Sequence, residues 1–168
     1  MNSLQGDQAV VSIMERMGAA IKQNANSVTV SGGATKATVI DAANCPDIIP
    51  VLTVLAAVSE GTTKIINAGR LRIKECDRLA AMTSELNKMG ANIIEEPEGL
   101  IIVGKPEGLK GGVQVDAWND HRVAMSLAIA AQKCAEPIVL SGTESVAKSY
   151  PTFWEDYKKV GGLVEEEA

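Results

Sequence analysis

The chain is organised around nine residues, Arg70-Leu71-Arg72-Ile73-Lys74-Glu75-Cys76-Asp77-Arg78, which combine four cations with two carboxylates. They lead into a helical pattern, because apolar residues recur at spacings of three and four at Leu79, Met82, Leu86 and Met89. Gly90 follows and predicts a left-handed helix end. If this helix is extended back by one turn, Lys74 and Arg78 become i,i+4 neighbours, which repel unless an anion lies between them. The stretch therefore indicates either a solvated, charged helix start or a site for an anionic ligand.

The same helical projection places Glu75 near the middle of the apolar stripe, with cations beside it. A carboxylate that is partly desolvated and flanked by cations can exchange protons near neutral pH. Glu75 is therefore a candidate acid or base beside a bound anion. The alternative is an ordinary acidic residue that favours the positive end of a helix.

The composition is that of a globular chain that can bury a core as one domain or two small ones. It has 168 residues, of which 46% are hydrophobic and 22% charged, with a formal net charge of -5. Aromatic residues make up only 3%, so aliphatic side chains and methionine must form the core. An acidic chain with few aromatics argues against a nucleic-acid surface, which needs basic residues and stacking platforms.

The three cysteines, Cys45, Cys76 and Cys134, match no metal-ligand spacing, and the chain has a single histidine. We therefore expect no metal site and no metal cofactor. Three unpaired thiols are typical of a reducing compartment. Residues 1–6 do not resemble a secretion signal, and no apolar run is long enough to cross a bilayer. The sequence thus predicts a soluble, cytoplasmic protein.

Helices and short strands alternate along the chain, which indicates an α/β fold. Helical patterns cover residues 7–17, 48–59, 79–89, 121–132 and 152–160. Strand patterns cover residues 27–31, 38–40, 62–66, 92–95, 100–103, 111–115 and 138–140. The helices over 48–59 and 121–132 are apolar nearly all round, so we expect them to be buried against one another.

Two markers share one period and indicate an internal repeat. Helix-ending glycines recur in Met17-Gly18-Ala19, Met89-Gly90-Ala91 and Val160-Gly161-Gly162, which are 72 and 71 residues apart. The buried helices follow Asp47 and Asp120, which are 73 residues apart. We predict a partial repeat over about 4–33, a full repeat over about 34–105 and a partial repeat over about 106–168. Residues 1–168 are therefore expected to be one domain cut from a longer protein.

Charged residues at the starts of the buried helices are the remaining site candidates. Asp47 and Asp120 are both predicted to cap their helices, at about 1 kcal/mol each, which does not exclude catalysis. Arg122 enters an apolar helix and needs a partner, which is either Asp120 or a ligand anion. His121 is interpreted as a hydrogen-bonded structural residue.

Lys148 lies in a loop before the last helix, where the middle repeat carries Asp77-Arg78. It is either a surface lysine or a further cation of the site. The chain has no GxGxxG motif, no P-loop and no nucleophile elbow, which argues against dinucleotide binding and acyl-enzyme chemistry.

Three stretches together resemble the 5-enolpyruvylshikimate-3-phosphate synthase family. The first joins the quoted stretch to Glu85-Leu86-Asn87-Lys88-Met89-Gly90-Ala91, the second is Asn119-Asp120-His121-Arg122-Val123-Ala124-Met125, and the third is Ala147-Lys148-Ser149-Tyr150-Pro151. The resemblance runs from Leu4-Gln5-Gly6-Asp7 to the C-terminus. It implies a domain of repeated βαβαββ units with buried parallel helices, the C-terminal one of two domains that close over substrate.

The resemblance also implies an activity. Enzymes of this family transfer the enolpyruvyl group of phosphoenolpyruvate to the 5-hydroxyl of shikimate 3-phosphate and release phosphate, without a cofactor. Carried over, Asp47 is the base on that hydroxyl and holds the shikimate ring, and Glu75 takes part in proton transfer at the phosphoenolpyruvate methylene carbon. Lys74 contacts shikimate 3-phosphate. The cations that clamp phosphoenolpyruvate are Arg78, Arg122 and Lys148.

Two departures limit what the resemblance implies. Arg70 stands where some members of the family carry a shikimate-binding asparagine, so no role is carried over to it. The residues that the N-terminal domain contributes are missing, so this chain alone is expected to be inactive. The alternatives are an enolpyruvyl transferase acting on a nucleotide sugar and a non-catalytic anion-binding or assembly module.

Overall fold

The computed structural model describes residues 5–166, which form five α-helices and eight β-strands. The helices are α1 (Ala9–Arg16), α2 (Ile49–Ala57), α3 (Arg78–Lys88), α4 (His121–Ala131) and α5 (Phe153–Lys159). The strands are β1 (Ala20–Gln23), β2 (Val28–Ser31), β3 (Val39–Asp41), β4 (Thr62–Ile66), β5 (Ile93–Glu96), β6 (Gly99–Val103), β7 (Gln114–Asp116) and β8 (Val139–Ser141). The outer boundaries predicted for the repeats, near residues 4 and 168, lie outside the described residues.

The predicted helices and strands are present, with their ends shifted by a few residues. The structure also has one further strand, β1, which no sequence pattern predicted. Its residues, Ala-Ile-Lys-Gln, do not alternate clearly, and their strand form comes from antiparallel pairing with β2. The hairpin of β1 and β2 leaves Val28 and Val30 exposed.

The middle of the chain builds one mixed sheet in the order β3-β4-β6-β5. β3 and β4 run parallel, whereas β6 is antiparallel to both β4 and β5. Along the chain the elements follow as β3-α2-β4-α3-β5-β6, and β7-α4-β8-α5 begins the same order again with β7 and β8 parallel. The predicted α/β class with βαβαββ order is confirmed, and the repeat boundaries remain a prediction.

The apolar helices form the centre of the core, as predicted. α2 packs against α4, and α3 packs against both. On α2, Ile49, Leu52 and Val54 are at most 3% exposed, and on α4 Val123 and Leu127 are fully buried. Each such side chain contributes about 1.5–3 kcal/mol when it leaves water. Among residues 5–166, no helix combines the length and the apolar character that crossing a bilayer requires.

The three glycines that mark the predicted repeat all adopt left-handed backbone conformations. The φ angles of Gly18, Gly90 and Gly161 are 95°, 99° and 98°. A residue with a Cβ atom is disfavoured at such angles. The value at Gly90 confirms the predicted left-handed helix end, and Gly18 and Gly161 follow their helices in the same conformation.

Replacing Gly90 with alanine should lower the free energy of unfolding by about 1–2 kcal/mol, because alanine resists the left-handed conformation. The new Cβ would also lie 3.2 Å from two atoms of Lys110. Gly33→Ala is the matched control, since Gly33 has an ordinary φ and no atom lies within 4 Å of the position that a methyl group would take there. Urea unfolding measures both variants, and an equal loss of stability in the two would contradict the requirement at Gly90.

Candidate functional site

All six residues predicted to form the site come together where α2, α3 and α4 begin. Together with Asp120 they form one group of neighbouring charges, in which ligand atoms of Glu75 and Asp120 lie within 4.8 Å of each other, and which we call the charge cluster. Its members are Asp47, Lys74, Glu75, Arg78, Asp120, Arg122 and Lys148. The cluster combines four cations with three carboxylates, so it carries a net charge of +1 when His121 is neutral. These residues come from stretches that are far apart in the sequence, so the tertiary fold, rather than local structure, brings them together.

A buried ion pair between Arg78 and Asp120 joins the starts of α3 and α4. Arg78 Nε donates to Asp120 Oδ2 at 2.8 Å, and Nη2 donates to Oδ1 at 3.3 Å. The two side chains are 3% and 0% exposed. Burial alone would raise the pKa of Asp120, but the hydrogen bonds and charge of Arg78 outweigh burial and hold that pKa below its ordinary value. Both groups are therefore charged at neutral pH.

Asp120 also caps α4, as the sequence predicted. Its Oδ1 accepts the N–H groups of Arg122 at 2.8 Å and Val123 at 3.4 Å. The Cys76 thiol donates to Oδ2 at 3.7 Å, and burial raises the pKa of Cys76 to about 12. The thiol is thus a protonated hydrogen-bond donor rather than a nucleophile.

The prediction that Asp47 caps a helix is wrong. Asp47 lies inside a 3-10 turn, Pro46–Ile48, and within the described residues no side chain caps α2. Its carboxylate instead faces three cations: Arg78 Nη1 at 2.9 Å, Lys74 Nζ at 3.3 Å and Arg122 Nη2 at 3.6 Å. Burial alone would raise the pKa of Asp47, but the charge of Arg122 and hydrogen bonds from the other two cations hold it below its ordinary value.

Of the two partners that the sequence suggested for Arg122, Asp120 is wrong, and a ligand anion stays a prediction. Arg122 Nη1 donates to the backbone oxygen of Asp47 at 3.0 Å, while Asp120 pairs with Arg78. The Arg122 side chain remains 32% exposed. It borders a cleft of about 100 Å³ between α2 and α4, which is lined by Asp47, Val51, Arg122, Met125, Ser126 and Ile129.

Helix α3 does not extend back to Lys74. Asp77 has an extended backbone (φ -72°, ψ 93°), and its Oδ1 accepts the N–H groups of Leu79 and Ala80 at 3.1 Å. This cap starts α3 at Arg78. The predicted i,i+4 geometry of Lys74 and Arg78, and the place of Glu75 on the apolar stripe, are therefore wrong. The carboxylate of Asp47 is the anion that lies between the two cations.

Glu75 lies in the turn before α3, with its side chain 36% exposed. His121 Nδ1 is 2.9 Å from Glu75 Oε1, and Lys148 Nζ is 3.7 Å from Oε2. Lys148 also donates to Asn119, to the backbone oxygen at 2.5 Å and to Oδ1 at 2.9 Å. Glu75 thus lies between a histidine and an ammonium group, both within ion-pair distance of its carboxylate.

Two residues to which the sequence patterns gave no role also organise this site. Arg72 donates to Asp77, to Glu95 and to two backbone oxygens at the end of β5 and just after it, all at 2.7–2.8 Å, which holds the turn that carries Lys74 and Glu75. Asn119 accepts hydrogen bonds from the Lys148 ammonium group and has a left-handed φ of 53°. The Arg72 acceptors other than Asp77 lie 23–25 residues away, so no local pattern could reveal them.

One set of described residues could reach a shared metal ion. The ligand atoms of Glu75, Asp120 and His121 lie within 4.8 Å of one another. Both oxygens of Asp120 are already engaged by Arg78, however, and Lys148 lies beside Glu75. A metal cation would be repelled by these neighbours, so the cluster suits an anion better.

Comparisons with known proteins agree on one family. The family model described as EPSP synthase (3-phosphoshikimate 1-carboxyvinyltransferase) matches residues 1–157. The 3-phosphoshikimate 1-carboxyvinyltransferase of Clostridium novyi (strain NT) is 56% identical over 166 residues, and that of Clostridium beijerinckii is 57% identical over 167. Each match covers 99% of this chain and 38% of the relative, so the chain spans about 38% of the length of these curated relatives.

A solved structure shows the same likeness in three dimensions. The EPSP synthase of Acinetobacter baumannii superposes with a TM-score of 0.87 at 30% sequence identity. The match covers 95% of this chain and 40% of that protein.

Replacing Asp120 with asparagine should lower the free energy of unfolding by about 3–5 kcal/mol, because Arg78 would keep its charge in a buried position without a charged partner. Asparagine can still cap α4, so the change isolates the ion pair. Asp156→Asn is the control, since it removes an equal charge from the exposed pair with Lys159 and should leave stability nearly unchanged. Urea unfolding compares the two, and similar losses would contradict the importance of the buried pair.

Acid should destabilise the fold through the same carboxylates. The pKa values of Asp47 and Asp120 lie below their ordinary values in the folded chain, so the unfolded chain binds protons first as the pH falls. The stabilisation is complete only well above the unfolded pKa of about 3.9, and it is lost progressively as the pH falls through that value and then through the folded values. Unfolding free energies measured from about pH 7 to about pH 3 should therefore decrease below about pH 5. Constant stability across this range would contradict the assignment.

Proposed function

The chain belongs to the EPSP synthase family, and from this membership we propose that it supplies one part of an enolpyruvyl transferase. The proposed enzyme transfers the enolpyruvyl group of phosphoenolpyruvate to the 5-hydroxyl of shikimate 3-phosphate and releases phosphate. The observation that carries the proposal is the charge cluster, where three cations surround the carboxylate of Asp47 beside an open cleft. Both substrates are phosphorylated, and such a set of cations can receive their anionic groups.

Asp47 is the proposed base on the 5-hydroxyl. Without ligand its carboxylate is stabilised by cations, which makes it a weak base. When substrate anions bind to Lys74 and Arg122, they neutralise part of that positive charge and raise the basicity of Asp47. Substrate binding would therefore activate the base that the reaction needs.

Glu75 is the proposed acid at the methylene carbon of phosphoenolpyruvate. In the addition step, the hydroxyl oxygen bonds to the central carbon, its proton passes to Asp47, and the methylene carbon takes a proton from the protonated carboxyl group of Glu75. In the elimination step, the bond between that carbon and the phosphate oxygen breaks, the departing phosphate takes the proton held by Asp47, and the methyl group returns a proton to Glu75. His121 and Lys148 touch the Glu75 carboxylate and can hold it in place between these steps.

The remaining cations are proposed to bind the anionic groups. Arg122 and Lys148, whose side chains are 32% and 44% exposed, can clamp phosphoenolpyruvate. Arg78 contributes its Nη1 atom, the one that faces Asp47. Lys74 would contact shikimate 3-phosphate. Fixed cations of this kind stabilise the charge that develops on the departing phosphate.

The proposal includes a partner within the same enzyme. Because this chain spans about 38% of its relatives, we propose that it is the C-terminal domain and that an N-terminal domain supplies the rest of the active site. Its repeats would cover about 4–33, 34–105 and 106–168. We also place the enzyme in the cytoplasm, since all three cysteines are free thiols.

A chimera tests this function directly. This chain would replace the matching segment of the Clostridium beijerinckii relative, and phosphate release would be measured from phosphoenolpyruvate with shikimate 3-phosphate. The chimera should be active and the chain alone inactive. Glu75→Gln should reduce the turnover of the chimera by about 10²–10⁴-fold, because it removes the proton donor.

Glu144→Gln is the matched control, as it makes the same chemical change on an exposed residue outside the charge cluster. It should leave turnover unchanged. A folded chimera that releases no phosphate would contradict the proposal, and activity with UDP-N-acetylglucosamine instead would favour a nucleotide-sugar acceptor.

A further inference from the structure

Glu85 carries a buried carboxylate that lies outside the charge cluster. It sits on α3, two turns beyond Arg78, and its side chain is only 1% exposed. A buried charge requires partners, and Glu85 has partners on two separate elements. From its own helix it accepts Lys88 Nζ at 2.7 and 2.9 Å and Ser84 Oγ at 3.0 Å.

The other partners of Glu85 belong to the segment that leads into α4. Oε2 accepts the N–H of Asp116 at 3.1 Å, and Oε1 accepts the indole N–H of Trp118 at 3.1 Å. Among the described strands β7 pairs only with β8, so Glu85 provides an acceptor at its other edge. Burial alone would raise the pKa of Glu85, but the hydrogen bonds from both elements hold it below its ordinary value, and the group is ionised.

The segment that Glu85 holds has an unfavourable backbone. Trp118 and Asn119 both have φ angles of 53°, a left-handed conformation that asparagine tolerates and tryptophan rarely adopts. Such a conformation persists only where surrounding contacts fix it. Here the Trp118 N–H donates to Asp116 Oδ1 at 2.6 Å, and the indole is bound to Glu85.

This segment in turn places Lys148. The backbone oxygen and Oδ1 of Asn119 both accept the Lys148 ammonium group, 3.7 Å from Glu75. Lys148 is 44% exposed, so packing alone does not determine where its side chain points. The left-handed turn at Asn119 aims both oxygens at it.

We propose that Glu85 is a positioning residue, which fixes the left-handed turn at Trp118–Asn119 and thereby holds Lys148 in the charge cluster. Its consequence for catalysis rests on the proposed function, in which Lys148 binds phosphoenolpyruvate. Loss of Glu85 should then weaken the binding of phosphoenolpyruvate alone. Shikimate 3-phosphate, which Lys74 and Asp47 would bind, should be unaffected.

The kinetic test uses the chimera with Glu85→Gln, Lys148→Met and the double variant. Glu85→Gln should raise KM for phosphoenolpyruvate by about tenfold and leave KM for shikimate 3-phosphate within about twofold. If Glu85 acts through Lys148, KM for phosphoenolpyruvate in the double variant should be no higher than in Lys148→Met alone. The effects of two residues that act through the same contact are not additive. Equal increases in both KM values, or additive effects in the double variant, would overturn the proposal.

Two further variants distinguish positioning from general stability. Ser84→Ala removes a bond to Glu85 from its own helix and should leave both KM values unchanged. Trp118→Phe removes only the indole donor, keeps the buried charge paired with Lys88, and should raise KM for phosphoenolpyruvate in the same direction as Glu85→Gln. This variant decides the question if Glu85→Gln does not fold. An unchanged KM in Trp118→Phe would overturn the role of the indole contact.

A structural measurement separates this proposal from the proposed function. Crystal structures of the 168-residue chain carrying Glu85→Gln, or Trp118→Phe, should show the Lys148 ammonium released from Asn119, whereas Ser84→Ala should retain both contacts. If the chimera is inactive but the contacts are lost, the proposed function fails and the positioning role stands. If the contacts remain, the positioning role fails whatever the activity.

Discussion

The fold depends most on the buried pairing of Arg78 with Asp120. Arg78 is the first residue of α3, and Asp120 is the residue that caps α4, so their contact fixes the starts of two helices to each other. Neither charge could remain buried alone, because an unpaired ion in the interior costs several kcal/mol. The third nitrogen of Arg78 reaches Asp47 before α2. One guanidinium group thus connects three helix starts and contacts side chains that lie 31 and 42 residues away from it in the sequence.

Within the charge cluster, the carboxylate of Asp47 offsets the repulsion between neighbouring cations. Lys74, Arg78 and Arg122 lie close together around one point, where like charges would push them apart. The carboxylate of Asp47 occupies that point and contacts all three. This carboxylate therefore offsets the repulsion among the cations. Any anion that bound to these cations would compete with Asp47 for them and so would alter the charges around its carboxylate.

Structural features that depend on local sequence patterns could be predicted from the sequence, whereas features that depend on long-range contacts could not. The apolar helices, the cap at Asp120 and the left-handed end at Gly90 follow from short-range preferences, and the structure contains them. The cap at Asp77 begins α3 at Arg78, so the helix does not extend back by one turn to Lys74 as predicted. Asp47 had the spacing of a cap, but its carboxylate meets cations 27, 31 and 75 residues further on. Similarly, Glu85 has an ordinary helical context, and only folding reveals its contact with Trp118.

The contact between Glu85 and Trp118 also gives the chain an optical probe. Trp118 is one of two tryptophans, and the other, Trp154, packs edge-on against Phe153 and Tyr157 in α5. Indole emission responds to nearby charge, and Trp118 has a buried carboxylate bound at its nitrogen and is 36% exposed. In a Trp154→Phe background, its fluorescence would report movements of the turn that carries Asn119, without any attached dye.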